Sequence, residues 1–404
     1  MFLHIDCNSY FASCEIATNP SLEGKPVVVC SNDEGGGGIV LALNAEAKAL
    51  GLKRGRPLFQ VRDILKNNHV ELCVADHKKY HRISRQIMDC VRQQDIVLNF
   101  VQYSVDEFFG ELPLEHPDEL RRYTAMVRDH ITQTTHIPVG CGCASSYTLA
   151  KVATYYAKRY KGYDGICVLT DDKREKALSL LPIEEVWGVG RKLRVKLRAE
   201  GFNTALDFAN ADERRIKELL GTQGYRTYRE LNGHPCIDLD RSEQQGTISR
   251  SRTFAYMIED KEALKEQILG FVTDCAFRLR QQKSLCSSIS CFVATNRHRT
   301  DLLQYSNGAT IRFPAPTCDT TIMVKAATKL VSGLYRPGYK FKQAGITLGD
   351  ISASEGQQLD LFTSEEDEKR QRLMKVADLI NSKFGADTVD FGGTLNSHKR
   401  PSKE

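Results

Sequence analysis

The sequence lacks the features that would place the protein in a membrane or in a secretory pathway. No apolar run approaches the roughly 20 residues that a membrane-spanning helix needs. The N-terminal stretch MFLHIDCNSYFASCE reaches Asp6 early, and it has neither the basic start nor the long apolar core of a signal peptide. We therefore expect a cytoplasmic protein without a membrane partner.

Motifs for zinc, for disulfides and for a P-loop are also missing. The 13 cysteines are odd in number and form no Cys-x-x-Cys pair, which argues against a disulfide framework. Cys141 and Cys143 lie in an apolar stretch, which is more typical of small buried strand residues than of zinc ligands. The stretch EGGGG at 34–38 is not followed by Gly-Lys-Ser or Gly-Lys-Thr, so we do not expect a P-loop.

Length and composition are those of an ordinary globular protein with two to four domains: 404 residues, 41% hydrophobic and 26% charged. The charge is unevenly distributed. Residues 241–350 contain 16 Lys and Arg against 9 Asp and Glu, whereas residues 351–404 contain 8 against 10. A basic block of this kind suits a polyanionic partner such as nucleic acid, although an ordinary solvated surface would have the same composition.

Apolar periodicity predicts alternating strands and helices in the first half of the chain. We expect strands at 1–6, 25–31 and 138–145, two strands within 97–112 that meet near SVDE, and helices over 40–50 and 77–94. The last of these helices would bury Ile83, Ile87 and Val91. Residues 182–240 are rich in Arg, Lys and Leu and are predicted to be helical.

The basic block has the predicted order β-α-β-β-α-β, which is typical of a small split-βαβ domain. Residues 351–370 are polar and acidic, and we expect a flexible linker there. A short amphipathic helix should follow, with four apolar residues on one face: Leu373, Val376, Ile380 and Phe384.

Two adjacent acids interrupt the apolar stretch YSVDEFFGEL at 103–112. Neighbouring strand residues point to opposite faces, so Asp106 and Glu107 can share a ligand only at a bend or a strand end. A third acid, Asp6, ends the first predicted strand. If that strand lies beside the 97–112 hairpin, three carboxylates converge, and hard oxygen ligands in that number suit Mg²⁺. The alternative is a capped turn with one surface salt bridge.

Several motifs together resemble those of the Y-family DNA polymerases, and in particular their UmuC-type bacterial translesion members. HIDCNSYFASCE (4–15) and YSVDEFF (103–109) resemble the paired active-site motifs of the family. Five further stretches resemble the UmuC subgroup in the same order along the chain: GKPVVVCSN (24–32), NAEAKALGL (44–52), LPIEEVWGVGRKL (181–193), QLDLF (358–362) and LMKVADLINSKFG (373–385).

The resemblance implies an α/β (α+β) multidomain fold of the right-hand polymerase type. It implies a ferredoxin-like catalytic palm, small fingers, a helical thumb with a helix-hairpin-helix, a DNA-binding little finger of β-α-β-β-α-β order, and a flexible tail with a clamp-binding motif and a C-terminal helix. The implied boundaries are 1–20 and 76–165 for the palm, 21–75 for the fingers, 166–240 for the thumb, 241–350 for the little finger and 351–404 for the tail.

The resemblance also implies the catalytic residues. Asp6, Asp106 and Glu107 would bind two Mg²⁺ ions, with a contribution from the backbone carbonyl of Cys7. Phe11 falls where the family has its steric gate, a bulky ring that leaves no room for a ribose 2′-hydroxyl. Tyr10, beside it in the dNTP site, would pack inward. The alternative is that both rings belong to the core.

Lys48, Lys158 and Tyr80 match positions that the family places around the triphosphate of the incoming dNTP. Cations there would stabilise the charge that develops on the leaving pyrophosphate, although either lysine alone would be equally compatible with a solvated surface. Leu43 departs from the family, because UmuC-type chains usually have a basic residue there. In the family, the fingers cover the nascent base pair. The difference at Leu43 therefore affects the shape of that cover, and with it the preference for particular lesions.

The stretch VWGVGRKLRVKLRAEG (186–201) resembles a helix-hairpin-helix that binds DNA. Gly188 and Gly190 would let backbone N–H groups approach a phosphate at the start of the next helix. Such contacts position a duplex without reading its sequence. The basic residues expected to contribute are Arg191, Lys192, Arg194, Lys196 and Arg198 in this helix, and Arg250 and Arg252 in SRSRTF (249–254) of the little finger.

The acidic tail contains a peptide that resembles the sliding-clamp-binding motif of bacterial polymerases. Its residues are Gln358, Leu359, Asp360, Leu361 and Phe362, of which the last two would anchor in an apolar groove. The helix after it resembles the UmuC tail. These resemblances imply a β sliding clamp, a UmuD-type dimer and a RecA filament as partners, besides primer-template DNA and dNTP.

The implied function is template-directed, low-fidelity DNA synthesis across damaged bases, in the SOS response and DNA repair. Two alternatives stay open. A nucleotide cyclase-like palm also uses a hairpin Asp-Glu with Mg²⁺, but it has no use for the helix-hairpin-helix, the basic block or QLDLF. A non-catalytic DNA- and clamp-binding scaffold that recruits other polymerases would have no need of the carboxylates.

Overall fold

The fold is that of a computed structural model, which describes residues 1–32, 38–239, 246–354, 365–385 and 388–389, without the side chains of 365–371. The chain divides into two compact units, residues 1–241 and residues 242–404. Within the described ranges no helix is long and apolar enough to cross a membrane, and no disulfide joins any of the cysteines.

The first unit alternates strands and helices and then ends in a helical segment. Its first elements are β1 (Phe2–Cys7), α1 (Tyr10–Thr18), β2 (Val27–Cys30), β3 (Val40–Leu43), α2 (Ala45–Ala49), α3 (Leu58–Asn67), β4 (Glu71–Val74) and α4 (His77–Arg92). They are followed by β5 (Leu98–Gln102), β6 (Glu107–Glu111), α5 (Pro117–Thr135), β7 (Val139–Ala144), α6 (Tyr147–Arg159), β8 (Ile166–Val168), α7 (Asp171–Leu180), α8 (Arg191–Ala199), α9 (Ala205–Ala209) and α10 (Glu213–Leu231).

A five-stranded sheet in the order β5-β6-β1-β7-β8 forms the centre of this unit. β1 lies between β6 and β7 and is antiparallel to both. Its residues Leu3 and Ile5 are buried in one core with the apolar faces of α4 and α5. The strands predicted at 1–6, 25–31, 97–112 and 138–145 and the helix predicted at 77–94 are confirmed.

A separate three-stranded sheet has the order β3-β2-β4. The prediction of one continuous helix over 40–50 is wrong in its first half, because Val40–Leu43 form β3 and pair with β2. Val40 and Leu43 are buried in the core of this sheet, and that burial outweighs the helical propensity of an Ala- and Leu-rich stretch. Asn44 then begins α2, where its side chain accepts the N–H of Ala47.

The helical segment is tied to the sheet by a buried carboxylate. Glu230, near the end of α10, is fully buried and accepts the backbone N–H groups of Thr148, Cys236 and Ile237 at 2.8–3.1 Å. The first of these groups belongs to the opening turn of α6, which has no intrahelical acceptor for it. Ser146 adds a bond from its hydroxyl to the Glu230 carbonyl at 2.7 Å. Glu230 therefore fixes the start of α6, the helix that carries Lys151 and Lys158.

Replacing Glu230 by alanine is expected to lower the free energy of unfolding by about 3 kcal/mol, because it leaves several buried N–H groups without acceptors. Chemical denaturation of the full chain measures this change. Glu218, exposed on the same helix, provides the control, since Glu218→Ala should change stability by less than about 0.5 kcal/mol. Equal stability of the two variants would show that the carboxylate does not anchor α6.

The second unit contains a four-stranded sheet against which two helices pack. Its elements are β9 (Ile248–Ile258), α11 (Lys261–Gln281), β10 (Ser284–Thr295), β11 (Ser306–Thr317), α12 (Thr320–Leu334), β12 (Phe341–Ala353) and α13 (Glu365–Phe384). The sheet order is β11-β10-β12-β9, and all neighbouring strands are antiparallel. β12 therefore lies between β9 and β10, the two strands that α11 connects, and the predicted split-βαβ order is confirmed.

The last helix, α13, docks on this unit through an ion pair. Arg280 donates from Nε and Nη2 to the two carboxylate oxygens of Asp378, each at 2.7 Å. Met374 and Ala377 are buried on the same side of α13. The predicted helix is confirmed, but the apolar face expected from the sequence is not the buried one. Three of its residues are more than half exposed: Leu373, Val376 and Phe384.

Candidate active site

The end of β1 and the start of β6 place the three predicted acidic residues next to one another along the backbone. Asp6 and Glu107 are direct partners in the antiparallel pairing of β1 with β6, and opposite residues in such a pair project from the same face. Asp106 precedes β6 at a bend, and its carbonyl accepts the Cys7 N–H at 2.9 Å. The Ser104 hydroxyl donates to Asp106 Oδ1 at 2.6 Å. The bend that the adjacent acids required is therefore present.

One face of α6 runs along these carboxylates. Its residues Lys151, Thr154 and Lys158 recur at helical spacing and so lie on one side of the helix. Lys158 Nζ is 2.8 Å from Asp6 Oδ1, and Lys151 Nζ is 2.7 Å from Glu107 Oε1. Each of these two acids thus faces a lysine of the same helix.

Glu107 is the most strongly held of these acids. His4 is buried, with Nδ1 2.9 Å from Thr154 Oγ1 and Nε2 3.7 Å from Glu107 Oε1. Burial would raise the pKa of the Glu107 carboxyl, but the nearby His4 imidazole and the hydrogen bond from Lys151 outweigh it and lower the pKa to about 2. Glu107 is therefore a carboxylate at neutral pH.

The oxygens near Asp6 suit a hard cation. Lys158 Nζ contacts both Asp6 Oδ1 and, at 3.4 Å, the carbonyl oxygen of Cys7. These two oxygens are part of the predicted metal-ligand set, and they converge on one positive charge. In the part of the chain that the structure describes, no three His, Cys, Asp or Glu residues are grouped so that they could hold a metal ion. Instead, Lys151 forms an ion pair with Glu107, and Lys158 forms one with Asp6.

The predicted triphosphate-binding lysines lie close to each other. Lys48 Nζ donates to Ser9 Oγ at 2.8 Å. Partial burial, and then the positive charge of Lys158, lower the pKa of Lys48. Gly140, opposite Asp6 on β7, leaves room for Lys158, because a Cβ there would lie 2.5 Å from the lysine side chain. Two cations held near one another in this way favour a ligand with several negative charges.

The three predicted aromatic residues have different positions. Phe11 is partly buried, and its ring stacks on that of Tyr80, with the centroids 4.4 Å apart. Tyr80 is fully buried, and its hydroxyl donates to Glu15 at 2.6 Å; its contact with the triphosphate stays a prediction. Tyr10 packs inward, as expected, and donates to the Tyr80 carbonyl at 2.7 Å. Tyr80 therefore supports Phe11 from behind.

The predicted helix-hairpin-helix provides a loop and a helix start. Gly188 has φ +89°, a conformation that favours glycine, and Gly190 precedes the first turn of α8. Gly190, Arg191, Lys192 and Leu193 line a shallow depression at that turn. Two of the basic residues of α8 have partners within the protein. Lys196 donates to the Leu219 carbonyl, and Arg198 binds Glu184 at 2.8 Å.

Of the two arginines predicted to bind DNA from β9, one forms an ion pair within the protein and the other is exposed. Arg250 Nε lies 3.3 Å from Asp274 of α11, so its guanidinium is directed to the helix in this structure, and its phosphate contact stays a prediction. Arg252 is exposed. The predicted clamp-binding residues, 358–362, lie outside the described residues.

Two residues of the site were not identified from the sequence. Lys151 holds Glu107, and Trp187 lies beside it, with the ammonium 5.1 Å from the indole ring centroid. The spacing of Lys151, seven residues before Lys158 in the stretch that forms α6, was a usable signal. Nothing in the local sequence indicated that Trp187 reaches Lys151, because that contact depends on the tertiary fold.

Two family models match the chain. The model of the impB/mucB/samB family matches residues 5–155, and that of the impB/mucB/samB family C-terminal domain matches residues 246–361. Protein UmuC of Salmonella typhimurium is 33% identical over 97% of this chain and 93% of its own length, and protein ImpB of the same organism is 34% identical with the same coverage. DNA polymerase IV 1 of Bacillus subtilis is 28% identical, over all of this chain and 95% of its own length.

Solved structures share the fold. A Y-family DNA polymerase chimera of Dbh and Dpo4 superposes with a TM-score of 0.70 at 20% identity, over 87% of this chain and 99% of its own. An insertion ternary complex of Dbh DNA polymerase gives a TM-score of 0.54 over the same shares of the two chains. The fold is therefore that of the Y-family DNA polymerases. The chain belongs to the impB/mucB/samB family, as a UmuC-type DNA polymerase of the Y family.

Proposed function

We propose that this polymerase copies damaged template strands with low fidelity, by two-metal transfer of a nucleotide to the primer 3′-hydroxyl. The observation that carries the proposal is the pairing of Asp6 with Glu107 at one end of the sheet, with Asp106 next to them in the backbone and Lys158 bound to Asp6. Acids alone would suit many cations. Acids flanked by two lysines suit a cation together with a polyphosphate.

The protein residues have separate tasks in this mechanism. Asp6, Asp106, Glu107 and the Cys7 carbonyl would hold two Mg²⁺ ions, which lower the pKa of the primer hydroxyl and neutralise the triphosphate when bound. Lys158 would leave Asp6 and turn to the phosphates, and Lys48 would join it there. Both cations would stabilise the charge on the departing pyrophosphate. Phe11, backed by Tyr80, would exclude a ribose 2′-hydroxyl.

The remaining parts would bind the duplex. We assign residues 1–20 and 76–165 to a palm, 21–75 to fingers, 166–240 to a thumb, 241–350 to a little finger and 351–404 to a tail. In the thumb, Arg191 and Lys192 have no protein partner among the described residues and line the depression at the start of α8. Backbone N–H groups at a helix start and two free cations make a phosphate contact that is independent of sequence.

Removing the two thumb charges, by Arg191→Ala with Lys192→Ala, is expected to weaken duplex binding equally for all sequences. The slope of log Kd against log salt should fall by about 2, because two phosphate contacts are lost. Fluorescence anisotropy with a labelled primer-template measures this. Arg198→Ala is the matched control, since Arg198 is on the same helix but paired with Glu184. An unchanged slope in the double variant would remove α8 from the DNA interface.

We further propose that the enzyme acts in the cytoplasm during the SOS response, with a β sliding clamp bound at 358–362 and with a UmuD-type dimer and a RecA filament as partners. This setting rests on the resemblance of residues 358–362 and of the helix after them to the tail of UmuC-type polymerases. A non-catalytic scaffold that recruits other polymerases is the alternative. Primer extension on undamaged and abasic templates separates the two, because only a polymerase incorporates dNTP when no other polymerase is present.

A further inference from the structure

The ammonium of Lys151 is enclosed by one carboxylate and three aromatic rings. It lies 2.7 Å from Glu107 Oε1 and 5.1, 5.2 and 5.6 Å from the ring centroids of Trp187, Tyr103 and Phe109. Aromatic faces attract a cation through their quadrupoles. We call this group the Lys151 cage: Lys151, Glu107, Tyr103, Phe109 and Trp187.

Trp187 connects the Lys151 cage to the loop at the start of α8. Its indole stacks on Phe109 with the centroids 5.5 Å apart, and its Nε1–H donates to the Tyr103 hydroxyl at 3.3 Å. Tyr103 and Phe109 come from either side of the bend that holds the catalytic acids. The next residue in the chain is Gly188, which begins the proposed phosphate-binding loop. One side chain thus contacts the catalytic hairpin while its backbone continues into the DNA-contacting loop.

We propose that Lys151 is a positioning residue for Glu107, and that Trp187 holds Lys151 in place from the DNA-contacting loop. Lys151 binds one oxygen of Glu107 and so sets the rotation of the carboxylate, which decides where the other oxygen points. The rings restrict Lys151 to one position, whereas an unenclosed lysine would sample many. This inference rests on the proposed metal-dependent function of Glu107.

Kinetics provide the first test. Lys151→Met keeps most of the unbranched side chain but removes the charge. Its kcat for insertion of one nucleotide should fall about 10- to 100-fold, as is usual when the partner of a metal ligand is lost, with KM for dNTP changed less than about twofold. Trp187→Ala should likewise lower kcat with little change in KM for dNTP. Lys151→Arg should recover part of kcat. The matched control is Arg159→Met, because Arg159 is also on α6 and also pairs with a carboxylate and an aromatic ring, but its partners, Glu185 and Tyr155, are not predicted site residues.

Fluorescence provides a second readout that does not depend on activity. Trp187 is the only tryptophan in the chain, so the emission of the full-length protein reports on the Lys151 cage. Mg²⁺ should change this emission in the wild type when it recruits Glu107. Lys151→Met should lose the change while it still binds the ion, as followed by the displacement of Mn²⁺ in electron paramagnetic resonance.

The outcomes separate this inference from the proposed function. Unchanged kcat in Lys151→Met, or a Mg²⁺-dependent emission change that survives in that variant, would overturn the positioning role while leaving the polymerase intact. A wild type that neither binds Mn²⁺ nor extends a primer would instead overturn the proposed function. If Lys151→Met fails to fold, a normal kcat in Trp187→Ala would equally contradict the inference.

Discussion

Asp106→Asn is expected to abolish primer extension while leaving DNA binding and folding unchanged. The substitution keeps the shape of the side chain, and an amide oxygen can still accept the Ser104 hydroxyl that Asp106 Oδ1 accepts at 2.6 Å. It removes one negative charge where two divalent ions and a triphosphate would have to be balanced. We expect the rate of insertion to fall by about 10³-fold or more, which corresponds to about 4 kcal/mol of transition-state stabilisation.

A carboxylate at the far end of β6, the strand that Asp106 precedes, provides the control for this result. Glu111 closes β6 and lies opposite Phe2, far along the strand from the Asp6–Glu107 pair. Glu111→Gln should therefore insert nucleotides at the wild-type rate. Single-turnover insertion with saturating dNTP measures both variants, and circular dichroism with anisotropy confirms that fold and duplex affinity are retained. Equal rates for Asp106→Asn and Glu111→Gln would remove Asp106 from the reaction.

Phe11→Ala is expected to let the enzyme insert ribonucleotides. The Phe11 ring has a fixed position because it stacks on the fully buried Tyr80, so it would not yield easily to a 2′-hydroxyl. Overpacking of this kind costs about 1.4 to 2.7 kcal/mol, so its removal should raise the ratio of ribonucleotide to deoxyribonucleotide insertion about 10- to 100-fold. Insertion rates for the two nucleotides opposite the same template base give this ratio.

A variant of the neighbouring residue, Tyr10, is the control. It distinguishes a specific role of Phe11 as the steric gate from a general loss of packing around it. Tyr10→Phe removes only the bond from Tyr10 to the Tyr80 carbonyl and keeps the inward-packed ring. Its discrimination against ribonucleotides should match that of the wild type. Phe11→Leu, which leaves a smaller apolar group, should lie between the wild type and Phe11→Ala. A Phe11→Ala variant that still rejects ribonucleotides would show that the gate is another residue.

The strands that carry the acids were predictable from the sequence, because strand-like stretches and the bend at SVDE are local patterns. That the first strand lies beside the hairpin was only a condition of the metal-site hypothesis, and the structure meets it, with Asp6 opposite Glu107. The order of the second unit followed from similar signals, including strand-like and helix-like stretches with their own periodicities.

Partners chosen by the tertiary fold were not predictable. Tyr80 and Arg250 were assigned to ligands from their positions in motifs, but Glu15 takes the hydroxyl of the first and Asp274 the guanidinium of the second. The Lys151–Trp187 contact joins residues that are distant in sequence. A motif identifies which residue types a site needs, whereas burial and the charges of neighbouring elements decide which side chains are available to a ligand.

Secondary structure at Val40–Leu43 could not be predicted from the local sequence either. The stretch that contains them has good helical propensity, yet it pairs with β2 because Val40 and Leu43 complete a small core. Propensity is a weak signal over four residues, and a buried sheet position easily outweighs it. The helix begins only after Asn44, whose side chain supplies the cap.

The most direct test of the active-site assignment is insertion of a single nucleotide by the purified full-length chain, with Mg²⁺ and each dNTP in turn, opposite each undamaged template base and opposite an abasic site. We predict template-directed insertion on the undamaged strands and measurable insertion opposite the abasic site, with both lost in Asp106→Asn. Duplex binding without insertion, even after a β clamp, a RecA filament and a UmuD-type partner are added, would contradict the assignment and identify the protein as a scaffold.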